Sequence, residues 1–302
     1  MNIFKIIIII IFLFGPSLKS ASQEFGFKEV QLTNSASDNK YASYNKSGSS
    51  IIFESNRDGH WQIYMMSSKG ENVSRLVNST YNDRRPTWHP YKNIILFESD
   101  RTGIFELYKL ELESHKISRI NIPVYGNKTR AEYAPNGVQI LFNLEDVAGD
   151  FDVYLVSHKG KKPKKIIDDK FNNMYPHFSG RGDNILYYSN KNNEGDSDVI
   201  YTYNIITKER YRLTYFKNNS SYGKYSNNRR RIVYSALVES EASEIYIMQN
   251  DGRNKKRITF NDEEDIQPSW SPHDINLLIS GVRNGNYQIC KILLKEPLEE
   301  EN

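Results

Sequence analysis

Cysteine is almost missing from this chain. Cys290 stands alone among 302 residues, so no intramolecular disulfide can form. Stability must come from a packed core, and a chain of this length can build one. An excess of either charge is missing as well. Of 40 basic residues, Lys5 and Lys19 fall in a leader segment; without them 38 basic residues face 37 acidic ones. Such balance lacks the positive footprint of a dedicated nucleic-acid binder. Long apolar runs are missing too. The longest, Ile6–Phe14, is short for a bilayer span. It follows Lys5 and precedes the small residues Ser20 and Ser22, which is the layout of a secretory leader over residues 1–22. If retained it would be an anchor, and the rest would still be exported. No cysteine lies near the cleavage point to carry a lipid. A periplasmic or secreted location is expected.

Catalytic signatures are also lacking. The chain has no G-x-S-x-G elbow, no H-E-x-x-H and no glycine-rich phosphate loop. Its six histidines (His60, His89, His115, His158, His177, His273) fall at unrelated places. No metal or cofactor is expected.

What the chain does have is a repeat. An aromatic recurs before a polar turn at Tyr44, Trp88, Tyr133, Phe178, Tyr225 and Trp270, with spacings of 44, 45, 45, 47 and 45. A second marker ends the following apolar run: Phe53, Phe97, Phe142, Tyr187, Tyr234, Ile279. A third follows an aliphatic: Tyr64, Tyr108, Tyr154, Tyr201, Tyr246, Cys290. Three markers keeping one period six times define six units of about 45 residues. Each unit reads as four short strands. The second strand is apolar on consecutive residues, as in "SIIFES" and "NIILFES", which means burial on both faces. Turns such as Asp58-Gly59 and Asn284-Gly285 suit hairpins. The expected fold is all-β: a six-bladed β-propeller of four-stranded antiparallel blades over residues 23–295, followed by an acidic tail, 296–302. The sixth unit has three strands, and "EVQLT" (Glu29–Thr33) is a spare strand near the start. That N-terminal strand is expected to close the last blade and cover its edge. An open solenoid would leave it unused.

"QPSWSPHDINLLISGVRNGNYQI" (Gln267–Ile289) and "RPTWHPYKNIILFESDRTGIFELY" (Arg85–Tyr108) resemble the TolB-type propeller repeat. The resemblance extends more loosely over residues 29–294. TolB itself has an α/β domain before its propeller, and the short stretch between leader and first strand leaves no space for one. What the resemblance implies is the propeller's own task. In TolB the central funnel holds a protein partner, the peptidoglycan-associated lipoprotein. Similar repeats also occur in exported hydrolases and lyases.

Three residues before each marker aromatic stand Tyr41, Arg85, Arg130, Tyr175, Tyr222 and Gln267. Tyr and Arg dominate protein-interface hot spots. With Arg84, one step further out, these residues are expected on the loop ahead of each first strand, around the channel mouth, as a partner-binding ring. A water-filled polar rim is the plain alternative. The expected function is an exported, non-enzymatic, monomeric module that docks a protein or peptide, an envelope lipoprotein being one candidate. Arg85→Ala with Arg130→Ala should then weaken capture at nearly unchanged stability. The alternative is a glycan-active hydrolase or lyase using the carboxylates of Asp83 and Asp265. A structural envelope protein would instead keep its partners on the outer rim. The basic runs Lys159–Lys165 and Arg229–Arg231 read as solvated turns, or as contacts to anionic headgroups. Cys290 and the periodic aromatics read as core.

Overall fold

The second strand of every repeat is buried on both faces because its alternate residues serve opposite neighbours. In the computed structural model, which describes residues 27–190, 197–215, 219–238 and 242–294, the first blade runs Asn39–Tyr44, Ser50–Ser55, Gln62–Ser67, Ser74–Arg75. Ile51 and Phe53 pack with Leu278 and Ile289 of the sixth blade. Ile52 and Ile63 pack with Ile95 and Phe97 of the second. The same division around the ring yields six apolar clusters among the described residues, one at each blade interface. Burying each such side chain stabilises by about 2 kcal/mol, and no blade can do it alone.

Two of the three sequence markers are cross-strand partners. Phe53 faces Tyr64, Phe97 faces Tyr108, Phe142 faces Tyr154, Tyr187 faces Tyr201 and Tyr234 faces Tyr246. Their ring centroids lie 5.6–5.9 Å apart. Such pairs contribute about 0.5–1.5 kcal/mol beyond burial. In the last blade Ile279 faces Cys290, a buried thiol in the core as expected. The remaining marker ends each inner strand. There Trp88 Nε1 donates to Ser43 O at 3.2 Å, and Trp270 Nε1 to Lys224 O at 3.1 Å, so indoles bridge neighbouring blades.

Six four-stranded antiparallel sheets result, and no helix occurs among the described residues. The sixth sheet is completed from the other end of the chain: Phe27–Gln31 lies antiparallel to Asn286–Leu294, with Glu29 opposite Ile292. The closing strand begins two residues earlier than the expected Glu29–Thr33. Thr33 still takes part: its Oγ1 donates to Gln288 Oε1 (2.9 Å) and accepts from Ile289 N (2.8 Å). A bidentate pair from Arg283 to Glu29, at 2.9 and 2.8 Å, fastens the edge. At the Asn284-Gly285 turn both residues have positive φ (+54° and +80°), the geometry that joins twisted strands in a two-residue hairpin. The expected leader (1–22) and the acidic tail (296–302) lie outside the described residues.

Candidate functional site: the axial funnel

Each inner strand contains a bulge, and the register slips by one step between Lys40/Ser43, Arg84/Thr87, Thr129/Glu132, Met174/His177, Ser221/Lys224 and Ile266/Ser269. The residue at each slip is left-handed: Tyr41 (φ 55°), Arg85 (47°), Arg130 (53°), Tyr175 (51°), Tyr222 (54°) and Gln267 (56°). These are the six residues picked out by counting back from the marker aromatics. They stand inside the inner strands, not on loops ahead of them. A non-glycine residue in this region is strained by about 1–2 kcal/mol, so six such residues in one ring must be held by their surroundings. The holding groups come from the preceding blade. Glu54 Oε2 accepts from Arg85 N at 2.6 Å, Glu98 Oε2 from Arg130 N at 2.9 Å and Asn143 Oδ1 from Tyr175 N at 2.9 Å. Ser280 Oγ accepts from Tyr41 N at 3.3 Å, across the ring closure.

The bulge turns these side chains onto the axis, where they meet. The Tyr41 and Tyr175 hydroxyls, from blades one and four, are hydrogen-bonded, and their rings are parallel within 2°. Tyr222 packs edge-on against Tyr175, with centroids 4.6 Å apart. The guanidinium of Arg85 lies 5.2 Å from the Tyr41 ring centre, and that of Arg130 lies 4.6 Å from Tyr175. The channel is thus floored by a plate of tyrosine and arginine. Burial raises the Tyr41 phenol well above its usual range. At Tyr175 burial works the same way, but the Arg85 and Arg130 charges outweigh it and hold that phenol below its usual range.

Above the floor is a polar funnel of about 600 Å3, lined among others by Lys40, Glu54, Trp61, Arg84, Asp198 and Tyr287. A second periodic set forms a crown at the start of each third strand, Trp61, Phe105, Phe151, Asp198, Ser243 and Tyr287, of which Trp61, Asp198, Ser243 and Tyr287 line the funnel itself. Four adjacent blades present half-buried aromatics, and each is met by a cation. Lys40 Nζ is 3.7 Å from the Tyr287 ring centre and 5.8 Å from Trp61, Arg84 is 3.9 Å from Phe105, and Arg130 is 4.7 Å from Phe151. The opposite half carries the Asp198 carboxyl, which burial raises to about 6. Burial also raises Glu54 to about 7, against the pull of Arg85. The crown was missed in the sequence because it mixes aromatic, acid and serine and so shows no conserved side-chain type. Glu54 and Glu98 did carry a signal, an acid inside an apolar strand at one repeat position.

Two expectations need correction. Asp83 and Asp265 are not mouth carboxylates. Both are fully buried at the start of an inner strand, where Arg101 Nη2 donates to Asp83 at 2.7 Å and Arg283 Nη1 lies 3.0 Å from Asp265. Nor is Arg85 free to be cut back at constant stability. It ion-pairs with Glu98, a buried carboxylate that without it would keep Arg84, at 3.1 Å, as its one cationic partner among the described residues. Arg57 and Arg101 in the recurring second turn bind the head of their own inner strand, as local contacts should.

Residues 150–297 match the family described as PD40, the TolB beta propeller domain. The TolB-type resemblance of the repeats is therefore sound. Solved structures share the fold at low identity. TolB from Acinetobacter baumannii is 18% identical, with a TM-score of 0.65 over 85% of this chain and 64% of that one. A protein from Agrobacterium tumefaciens solved as a candidate TolB is 12% identical, with a TM-score of 0.69 over 90% and 98%. An oligogalacturonate lyase in complex with manganese is 14% identical, with a TM-score of 0.62 over 90% and 94%. The chain spans about two thirds of the length of the Acinetobacter TolB, and likeness at these identities shows the fold alone. No curated protein matches the sequence.

Proposed function

We propose that this TolB-type β-propeller is an exported docking module that seats a protein loop or peptide in the funnel above its floor, without chemistry. The observation that carries the reading is the asymmetric crown over a rigid base: four aromatics with their cations on one half, Asp198 on the other. Aromatic and arginine side chains bury large areas while keeping hydrogen-bond donors in reach. The floor is already cross-linked, so a partner that docks on it loses little ordering entropy in the propeller. An envelope protein, a lipoprotein among them, is the partner class that the TolB resemblance supports.

The test uses the rim and spares the floor. A photo-crosslinking residue placed at Ser243 should attach to a partner in the envelope fraction. Trp61→Ala with Lys40→Ala should then weaken that partner's binding by about tenfold or more, with the melting temperature unchanged. Unchanged affinity, or crosslinks formed only from outer positions such as Tyr211, would refute the reading. The lyase likeness supports a second reading, a glycan site using the Glu54 and Asp198 carboxyls in place of Asp83 and Asp265. Turnover of oligogalacturonate by the purified protein, abolished by Asp198→Asn, would establish it.

A further inference from the structure

Two residues beyond each bulge, the inner strands present a second ring on the far side of the floor. Its members are Ser43, Thr87, Glu132, His177, Lys224 and Ser269. The first five line a small chamber of about 80 Å3, walled otherwise by Pro86, Ala131, Pro176, Gly223 and the floor residues themselves. A water needs roughly 10–15 Å3 of such space, so the chamber has room for several waters or for one group of four or five heavy atoms.

The polar groups in this chamber do not balance. Glu132 is fully engaged: one oxygen accepts from His177 Nδ1 at 2.7 Å and the other from Phe178 N at 2.6 Å. Thr87 Oγ1 donates to Ala131 O at 3.0 Å. Several donors are left over: Arg85 Nε and Arg130 Nε in the floor, and two more in the ring itself. The half-buried Lys224 has no hydrogen bond or ion pair from its ammonium among the described residues, although its own carbonyl anchors Trp270. The Ser43 hydroxyl is buried and likewise without a partner. Burial drives the Lys224 ammonium below the usual lysine range, with Glu132 opposing it only in part. An ammonium that is desolvated in a narrow chamber and lacks a hydrogen-bonded partner favours a negative group beside it.

We propose that this chamber is an anion site, in which Lys224 Nζ and Ser43 Oγ hold a small oxyanion, a carboxylate or a phosphate group. It is separate from the funnel, since the plate of Tyr41, Arg85, Arg130, Tyr175, Tyr222 and Gln267 lies between them. It does not depend on any partner docking above. A phosphate or carboxylate of four or five heavy atoms matches the space, and the Lys224 and Ser43 donors match its oxygens.

Acetate and inorganic phosphate are the probes, titrated calorimetrically into the purified protein in a buffer free of both. Saturable binding of either one supports the site, and which of the two binds distinguishes carboxylate from phosphate recognition. Lys224→Met should weaken it about ten- to a hundredfold, the worth of one charge-assisted hydrogen bond, and Lys224→Arg should retain most of it. Lys40→Ala, on the funnel side, should leave the binding untouched. The melting temperature of Lys224→Met without added anion should stay level or rise, because an unpaired charge has been removed. No saturable binding of either probe at millimolar concentration overturns the proposal. So does binding that survives Lys224→Met or vanishes with Lys40→Ala.

Discussion

Arg57 and Arg101 occupy the same place in successive repeats, yet their removal should not cost the same. Each reaches back to the first residue of its own inner strand and stacks on a tyrosine, with the guanidinium 4.5 Å from the ring centre in both cases. The difference is the partner. Arg57 Nη2 donates to the neutral amide of Asn39 at 2.8 Å, whereas Arg101 Nη2 donates to the buried carboxylate of Asp83 at 2.7 Å. Arg57→Ala should therefore cost about 1–2 kcal/mol, and Arg101→Ala about 3 kcal/mol or more, because it strands a charge. Urea unfolding of both variants measures the gap; equal costs would show that Asp83 finds another partner. A second residue-scale outcome concerns the turn after the inner strand. Gly48, Gly137 and Gly182 take the left-handed position there, while Arg229 takes it at φ 65°. Arg229→Gly should stabilise by about 0.5–1 kcal/mol by relieving that strain, read from the shift in urea midpoint.

Among the strands, the outer ones are the least independent. They are short, as at Ser74–Arg75 and Lys256–Arg257, and rich in Lys and Arg, which blunts an exposed edge. The closing strand has a heavier task, because Phe27–Gln31 covers the long Asn286–Leu294 strand and ties the ring. A chain starting at Asn34 should unfold at a lower urea concentration and associate through the uncovered edge. Sedimentation of that chain as a monomer of unchanged stability would sink the idea that this strand closes the ring. Its existence was legible because "EVQLT" has the form of a fourth strand that the last repeat lacks. Its start was not, since Phe27 and Lys28 enter the strand through pairing with Leu294 and Leu293, a contact between opposite ends of the chain.

At the scale of the ring, the funnel makes stability depend on pH. Burial raises Glu54 from an ordinary 4.5 to about 7, the largest cause, while Arg85 pulls the other way. The folded value lies above the unfolded one, so this group's contribution is complete below about pH 4.5 and is lost as pH rises through about 7. The loss is at most about 3 kcal/mol. Asp198, raised by burial to about 6, acts in the same direction. Urea unfolding at pH 5 and pH 8 should show the decline, and Glu54→Gln, which keeps an acceptor for Arg85 N, should flatten it. An identical pH dependence in the variant would mean that Glu54 stays charged beside Arg85.

The period and the four strands per unit were open to reading in the sequence, because packing alike blades demands alike side chains at fixed intervals, and the six floor residues were open to it through their fixed offset from the marker aromatics. What only the assembled ring decided is how those residues are used. A left-handed bulge at tyrosine, arginine and glutamine runs against their intrinsic preference, and at Tyr41, Arg85, Arg130 and Tyr175 an acceptor from the neighbouring blade holds the amide. Which carboxylates face the funnel, and which lie behind arginines, follows from contacts between strands, such as Arg101 with Asp83, 18 residues away, and Arg85 N with Glu54, 31 residues away. Alternation along a single strand carries no record of that.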